Sequence, residues 1–241
     1  MCHGKLLHDL TKFGASDAAS LGAALRAAAV ASSNMEDAAN AMVRLLYGES
    51  HPGCALVRFF KTHAYGQLPP SLQQFAGRLL TAQPDPAMQC LTLLATAGDK
   101  PEWNTREASA GHQAIPLPSV QLVERMPMIW QLIKQFGLTP NTVLRPAAGL
   151  LMDAEEHSSN VLYVANAAGS PFIPAQKEFV EPMGIRSVLG FGGLLPSGSL
   201  VAALMFSKVP VPREAAGHFR TLTKDLKAAV ALFDGTTIFR E

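Results

Sequence analysis

The segment Ser187-Val-Leu-Gly-Phe-Gly-Gly-Leu-Leu-Pro-Ser-Gly-Ser-Leu-Val-Ala-Ala-Leu-Met-Phe-Ser207 runs for 21 residues without a charge, between Arg186 and Lys208. Apolar runs of about 18 residues or more are candidates for membrane spans. This one is interrupted at its centre by Pro196-Ser-Gly-Ser199, a cluster of turn-forming residues. Two short apolar segments, 187–195 and 200–207, remain on either side. Their length and the turn between them predict a hairpin of buried strands. The glycines at 190, 192 and 193 lead into that hairpin and not into a helix N-terminus, so they predict close backbone packing and not a phosphate loop.

The rest of the chain is consistent with a folded core of this kind. It has 241 residues, 48% of them apolar and only 16% charged, where about 25% is usual. Twenty basic residues against nineteen acidic ones leave no basic surplus for nucleic acid. His8, Asp9 and Lys12 interrupt the start, so it does not read as a secretory signal. The three cysteines, Cys2, Cys54 and Cys90, are too few and too scattered for a disulfide framework. These features predict a cytoplasmic protein with reduced thiols and no membrane partner.

Working outward, an alanine-rich helix is expected to about residue 31, capped by Ser16 or Asp17. Asn34 caps a second helix, whose apolar residues Met35, Ala38, Ala39, Met42, Val43 and Leu46 keep helical spacing up to Gly48. Strands are expected at 54–61, 89–97, 112–117 and 161–167, with a short helix from about Pro70 to Leu80. Leu150 and Leu151 open a further short strand. A helix from Ser119 to Phe136 contains Pro127, which should kink or split it. Residues 140–149 read as a loop, 175–181 as a short helix and 213–233 as a long closing helix. The pattern predicts an α+β fold with a mainly antiparallel sheet of about six strands flanked by helices.

No nucleophile elbow, phosphate-binding loop, His-Glu-x-x-His or Cys-x-x-Cys motif is present. Candidate ligand-binding residues therefore come from position. Arg58, Lys61 and His63 lie on or beside the first strand; Lys61 and His63 share a face, whereas Arg58 points the other way. Cys90 and His112 begin strands and are soft or imidazole donors suited to haem or metal. The same pair offers a nucleophile and a base, were the chain an enzyme. Trp103 and Asn104 occupy a polar loop, 99–111, of a length that often carries function. Arg186 and Ser187 offer a guanidinium and a hydroxyl ahead of the hairpin.

Two stretches carry a resemblance. They are Cys90-Leu-Thr-Leu-Leu-Ala-Thr-Ala-Gly-Asp-Lys-Pro-Glu-Trp-Asn104, continuing through Gly111 to Pro118, and Gly169 to Val180, continuing from Gly184 to Gly198. With Arg58-Phe-Phe-Lys-Thr-His63 they resemble the N-terminal sensory region of bacterial histidine kinases and related signalling proteins. The last third, with its hairpin and long closing helix, is similar to a GAF domain. The resemblance implies an N-terminal helical segment, 1–34, followed by a GAF-like sensory domain, 35–241. It implies a six-stranded antiparallel sheet with helices on one face and a small-molecule cavity on the other. A homodimer paired through terminal helices, and a non-catalytic sensory role, are implied as well. No kinase or cyclase domain follows Phe233, so the signal is expected to leave through a partner such as a histidine kinase. The alternative expectation is a haem- or metal-binding redox or gas sensor using Cys90 or His112. No ligand or cofactor is implied by name.

Overall fold

Cys54–Ala64, largely apolar and with Val57, Phe59, Phe60 and Thr62 favouring extended backbone, forms the central strand β1, and the sheet grows outward from it on both sides. The computed structural model describes residues 8–147 and 161–240. Strand β2 (Gln89–Gly98) flanks β1 on one side, with β3 (Ala114–Leu117) beyond it. On the other side lie β6 (Leu200–Ser207), β5 (Ser187–Leu194) and β4 (Val161–Val164). The order is β3-β2-β1-β6-β5-β4, and every neighbouring pair is antiparallel.

The uncharged run is the hairpin β5–β6, paired from Ser187↔Ser207 to Leu194↔Leu200. Both strands are buried on both faces, which is why neither carries a charge. A Cβ on Gly192 would lie 2.1 Å from the Val201 carbonyl oxygen, so only glycine allows the two strands to meet there. Gly198, with φ +83°, supplies the left-handed residue of the turn.

Helices α1 (Ala15–Val30), α2 (Met35–Ser50) and α7 (Arg213–Ala231) cover one face. Leu21, Leu25, Met42, Leu46, Phe59, Phe191, Phe219 and Leu226 form a single buried cluster there. The apolar stripes of α1 and α7 are thus used within the chain. The other face is also covered, by α4 (Val120–Glu124), α5 (Pro127–Gln135), α6 (Pro140–Leu144) and residues 165–186. Its core includes Leu56, Phe60, Leu93, Phe136, Leu162 and Phe206. Helices therefore pack on both faces and not on one. At the β3 edge, α3 (Pro70–Gly77) packs Leu72 and Ala76 on Cys90 and Ala114.

Asn34 caps α2 as expected, its Oδ1 accepting from Asp37 N at 2.8 Å. Three local expectations need correction, and one, the break at Pro127, is met. The cap of α1 is Gly14, whose N–H donates to the Asp17 carboxylate, so Asp17 acts from inside the first turn. Gly48 does not stop α2, which continues to Ser50. The chain at 119–136 is two helices because Pro127 has no N–H for a bond to the preceding turn and becomes the first residue of α5. Residues 140–144 are helical and not loop: Pro140 opens α6 and Thr139 Oγ1 accepts from Thr142 N. The strand expected at Leu150 lies outside the described residues. No helix among the described residues is long and apolar enough to cross a membrane.

Candidate functional site

The end of β1 places two ionisable side chains in the interior. Lys61 and His63, two residues apart, share the face that carries α2 and α7, and each is 4% exposed. Beyond α7 the chain reverses and returns along the start of α2. Met35 N donates to the Thr237 carbonyl at 3.0 Å and Glu36 N to the Ile238 carbonyl at 2.9 Å, so the returning tail occupies N–H groups that open the helix. Asp234, at the reversal, accepts from Ser197 N at 3.0 Å and Ser197 Oγ at 2.9 Å. One carboxylate thereby ties the tail to the β5–β6 turn.

Between the end of β1, this turn and the tail lies a cavity of about 560 Å³. Lys61, His63, Ser199, Asp234, Thr236 and Phe239 are among its lining residues. Lys61 Nζ stands 3.8 Å from Asp234 Oδ1 and reaches the Thr62 carbonyl at 3.3 Å. Burial lowers its pKa to about 8, although Asp234 acts in the opposite sense. Neither ring nitrogen of His63 has a well-formed hydrogen bond, the Lys61 backbone being the polar group that bears on it. Its ring leans on Phe239 with centroids 5.1 Å apart. Burial, with the Lys61 ammonium beside it, holds the imidazole pKa well below the usual value, so the ring is neutral at pH 7. Across the strand, Thr92 pairs with Lys61 in register, and its buried hydroxyl also lacks a partner. Buried polar groups without partners are uncommon in folded proteins, and His63 and Thr92 stand on adjacent strands of this sheet.

Behind Phe239, Arg106 makes an ion pair with the buried Glu36 at 3.0 Å and lies over the Phe239 ring at 5.9 Å. Arg240 pairs with Asp37, and its N–H donates to Glu36 Oε2 at 3.1 Å. The tail is fastened at both ends.

The remaining residues singled out in the sequence do not line this cavity. Arg58 faces the opposite side of the sheet, beside Leu204, where burial lowers its pKa to about 10 and its Nε has no partner. Cys90 is fully buried among Leu68, Leu72, Ala76 and Ala114, and burial pushes its thiol up to about 12. That environment suppresses the thiolate that metal binding or nucleophilic attack requires. His112 has an exposed edge, yet partial burial of its ring and, secondarily, the Arg58 charge lower its pKa to about 4; Cys90 pairs instead with Pro116, four residues further on. Among the described residues, no group of three or more His, Cys, Asp and Glu side chains is arranged to hold a metal.

Trp103 and Asn104 build structure. Asn104 bridges the Gly98 N–H and carbonyl at 3.1 and 3.0 Å, closing the end of β2. Trp103 packs edge-on against Phe179 at 5.5 Å, and Phe179 against Phe206 at 5.0 Å. The two sequence stretches that carry the family resemblance therefore meet at this aromatic contact. Arg186 is exposed, while Ser187 is fully buried with its hydroxyl bonded to Val209 O and Val211 N.

Sequence reasoning finds Lys61 and His63 but misses Asp234, Ser199 and Phe239. A post-helical Asp-Gly reads only as a helix stop, and nothing local indicates that it meets a turn 37 residues earlier. No protein-family model matches the chain, and no curated protein matches it.

Proposed function

We propose that the chain is a GAF-like, non-catalytic sensory or regulatory module that binds a small polar ligand in the Lys61–His63 cavity. One observation carries this reading: the buried His63 ring lines a cavity whose wall is the same segment that caps α2 and ends α7. A ligand that hydrogen-bonds there changes the tail, and the tail bears on two helices. Ligand-dependent differences in the preferred position of the tail then constitute the signal. The sheet order and the resemblance to sensory regions of bacterial signalling proteins support the assignment. The cavity volume lies within the range usual for small-molecule sites, about 300–1,000 Å³. The surface of α7 and its tail is the output, read by a second copy or by a signalling partner such as a histidine kinase.

The test is a thermal-shift screen against a metabolite library, followed by hydrogen exchange on each hit. A ligand well above its Kd must raise the melting temperature. Hits should slow exchange at residues 234–240 and at the first turn of α2. The reading is wrong if no compound stabilises the protein, or if stabilising compounds leave exchange in the tail unchanged. Light scattering with and without a hit distinguishes a second copy from a separate partner.

A further inference from the structure

Resting on that reading, we propose that the cavity selects a small monoanionic hydroxycarboxylate, its carboxylate on Lys61 Nζ and a hydroxyl donating to His63.

The assignment follows from what each wall group lacks. Lys61 carries three N–H donors, and its contacts are one carbonyl at 3.3 Å and a carboxylate at the limit of ion pairing. Both oxygens of that carboxylate already accept from Ser197. The ammonium therefore has donor capacity directed at a second anion. Asp234, at 3.8 Å, only partly offsets the Lys61 charge, and a monoanion adds one further negative charge to the site where a dianionic phosphate adds two, the costlier arrangement in a largely buried place. Neutral His63 offers one N–H donor, which has at most the Lys61 backbone to engage it, and one bare acceptor nitrogen. The bare nitrogen needs a donor, and a carboxylate cannot supply one. A hydroxyl on the same molecule can. The Ser199 and Thr236 side chains add further partners for hydroxyl groups along the cavity wall.

Isothermal calorimetry on the full chain tests this with glycolate, L-lactate, D-glycerate, D-gluconate and D-glucuronate. Glycerol and glucose serve as uncharged controls, propionate as a carboxylate without a hydroxyl, and glycerol 3-phosphate as the dianion. At least one hydroxycarboxylate should bind at least tenfold more tightly than every control. Lys61→Met should reduce that affinity at least tenfold and Lys61→Arg less, with circular dichroism checking that both fold. Wild-type protein gives a second, mutation-free readout. The groups packed round Lys61 are Asp234 from the tail, His63 on its own strand and, beyond Phe239, the Arg106–Glu36 pair. Affinity should stay level from pH 7 to 7.5 and fall as the free Lys61 ammonium loses its proton above about pH 8. Equal binding of glucose, propionate or the phosphate overturns the assignment, as does full affinity in Lys61→Met or no binding by any hydroxycarboxylate. If the metabolite screen still yields ligands that protect the tail, only the chemistry assigned to the ligand has failed. If it yields none, the cavity reading has failed with it.

Discussion

Lys61 and His63 lie two residues apart in one strand, and burial lowers the pKa of both, so each makes stability rise with pH in its own window. An unfolded lysine binds its proton up to about pH 10.4, whereas buried Lys61 releases it near 8. Between those values the unfolded state holds more protons, so stability rises with pH. The gain across that window is about 3 kcal/mol, at roughly 1.4 kcal/mol for each pH step of one. The buried thiols of Cys54 and Cys90 act in the opposite direction above about pH 9, because the unfolded chain ionises them first. Urea denaturation of wild type and Lys61→Met at pH 8 and 10.5 separates the two effects. The wild type should gain relative to the variant, and parallel pH dependence would show that Lys61 is not desolvated. On the acid side the depressed His63 pKa contributes stability that is present above about pH 6.5 and lost below it. His63→Phe should flatten the fall in stability between pH 6.5 and 5, although His112 continues to titrate in the unfolded chain.

Elements in this chain differ in how much of their stability is local. Asn34 supplies a side-chain cap, and Asn34→Ala should cost about 1 kcal/mol in denaturation experiments. The β5–β6 hairpin instead depends on the close approach of two backbones. Gly192→Ala would drive a methyl into the Val201 carbonyl, so a loss of more than about 3 kcal/mol, or no soluble protein, is expected. A melting temperature within a few degrees of wild type would mean that the strands can separate at that point. Both elements are legible in sequence, because a cap and an apolar period are local signals. Helix α6 is not legible, for the opposite reason: Pro140 followed by polar residues matches a turn as well as a first helical turn, and packing of Val143 into the core selects the helix.

At the scale of the molecule, the tail from Asp234 to Arg240 links three parts of the fold that are remote in sequence: the β5–β6 turn, the end of β1 and the start of α2. Asp234→Ala removes two hydrogen bonds to a carboxylate and withdraws the counter-charge from Lys61. A cost of about 2–4 kcal/mol is expected, with faster hydrogen exchange at Met35 and Glu36. Unchanged exchange at those two amides would mean that the tail does not couple the cavity to α2.

The low charge content and the uncharged run at 187–207 determined by themselves that the chain would build a buried antiparallel sheet, because side-chain burial and turn residues act on near neighbours. The placement of Lys61 and His63 on one face was equally local, a consequence of strand period. The aromatic contact of Trp103 with Phe179, the return of the tail and the pairing of Lys61 with Asp234 were decided only by the tertiary structure. Those contacts join residues dozens to hundreds of positions apart, and what selects them is satisfaction of buried polar groups, a condition that exists only once the core has closed.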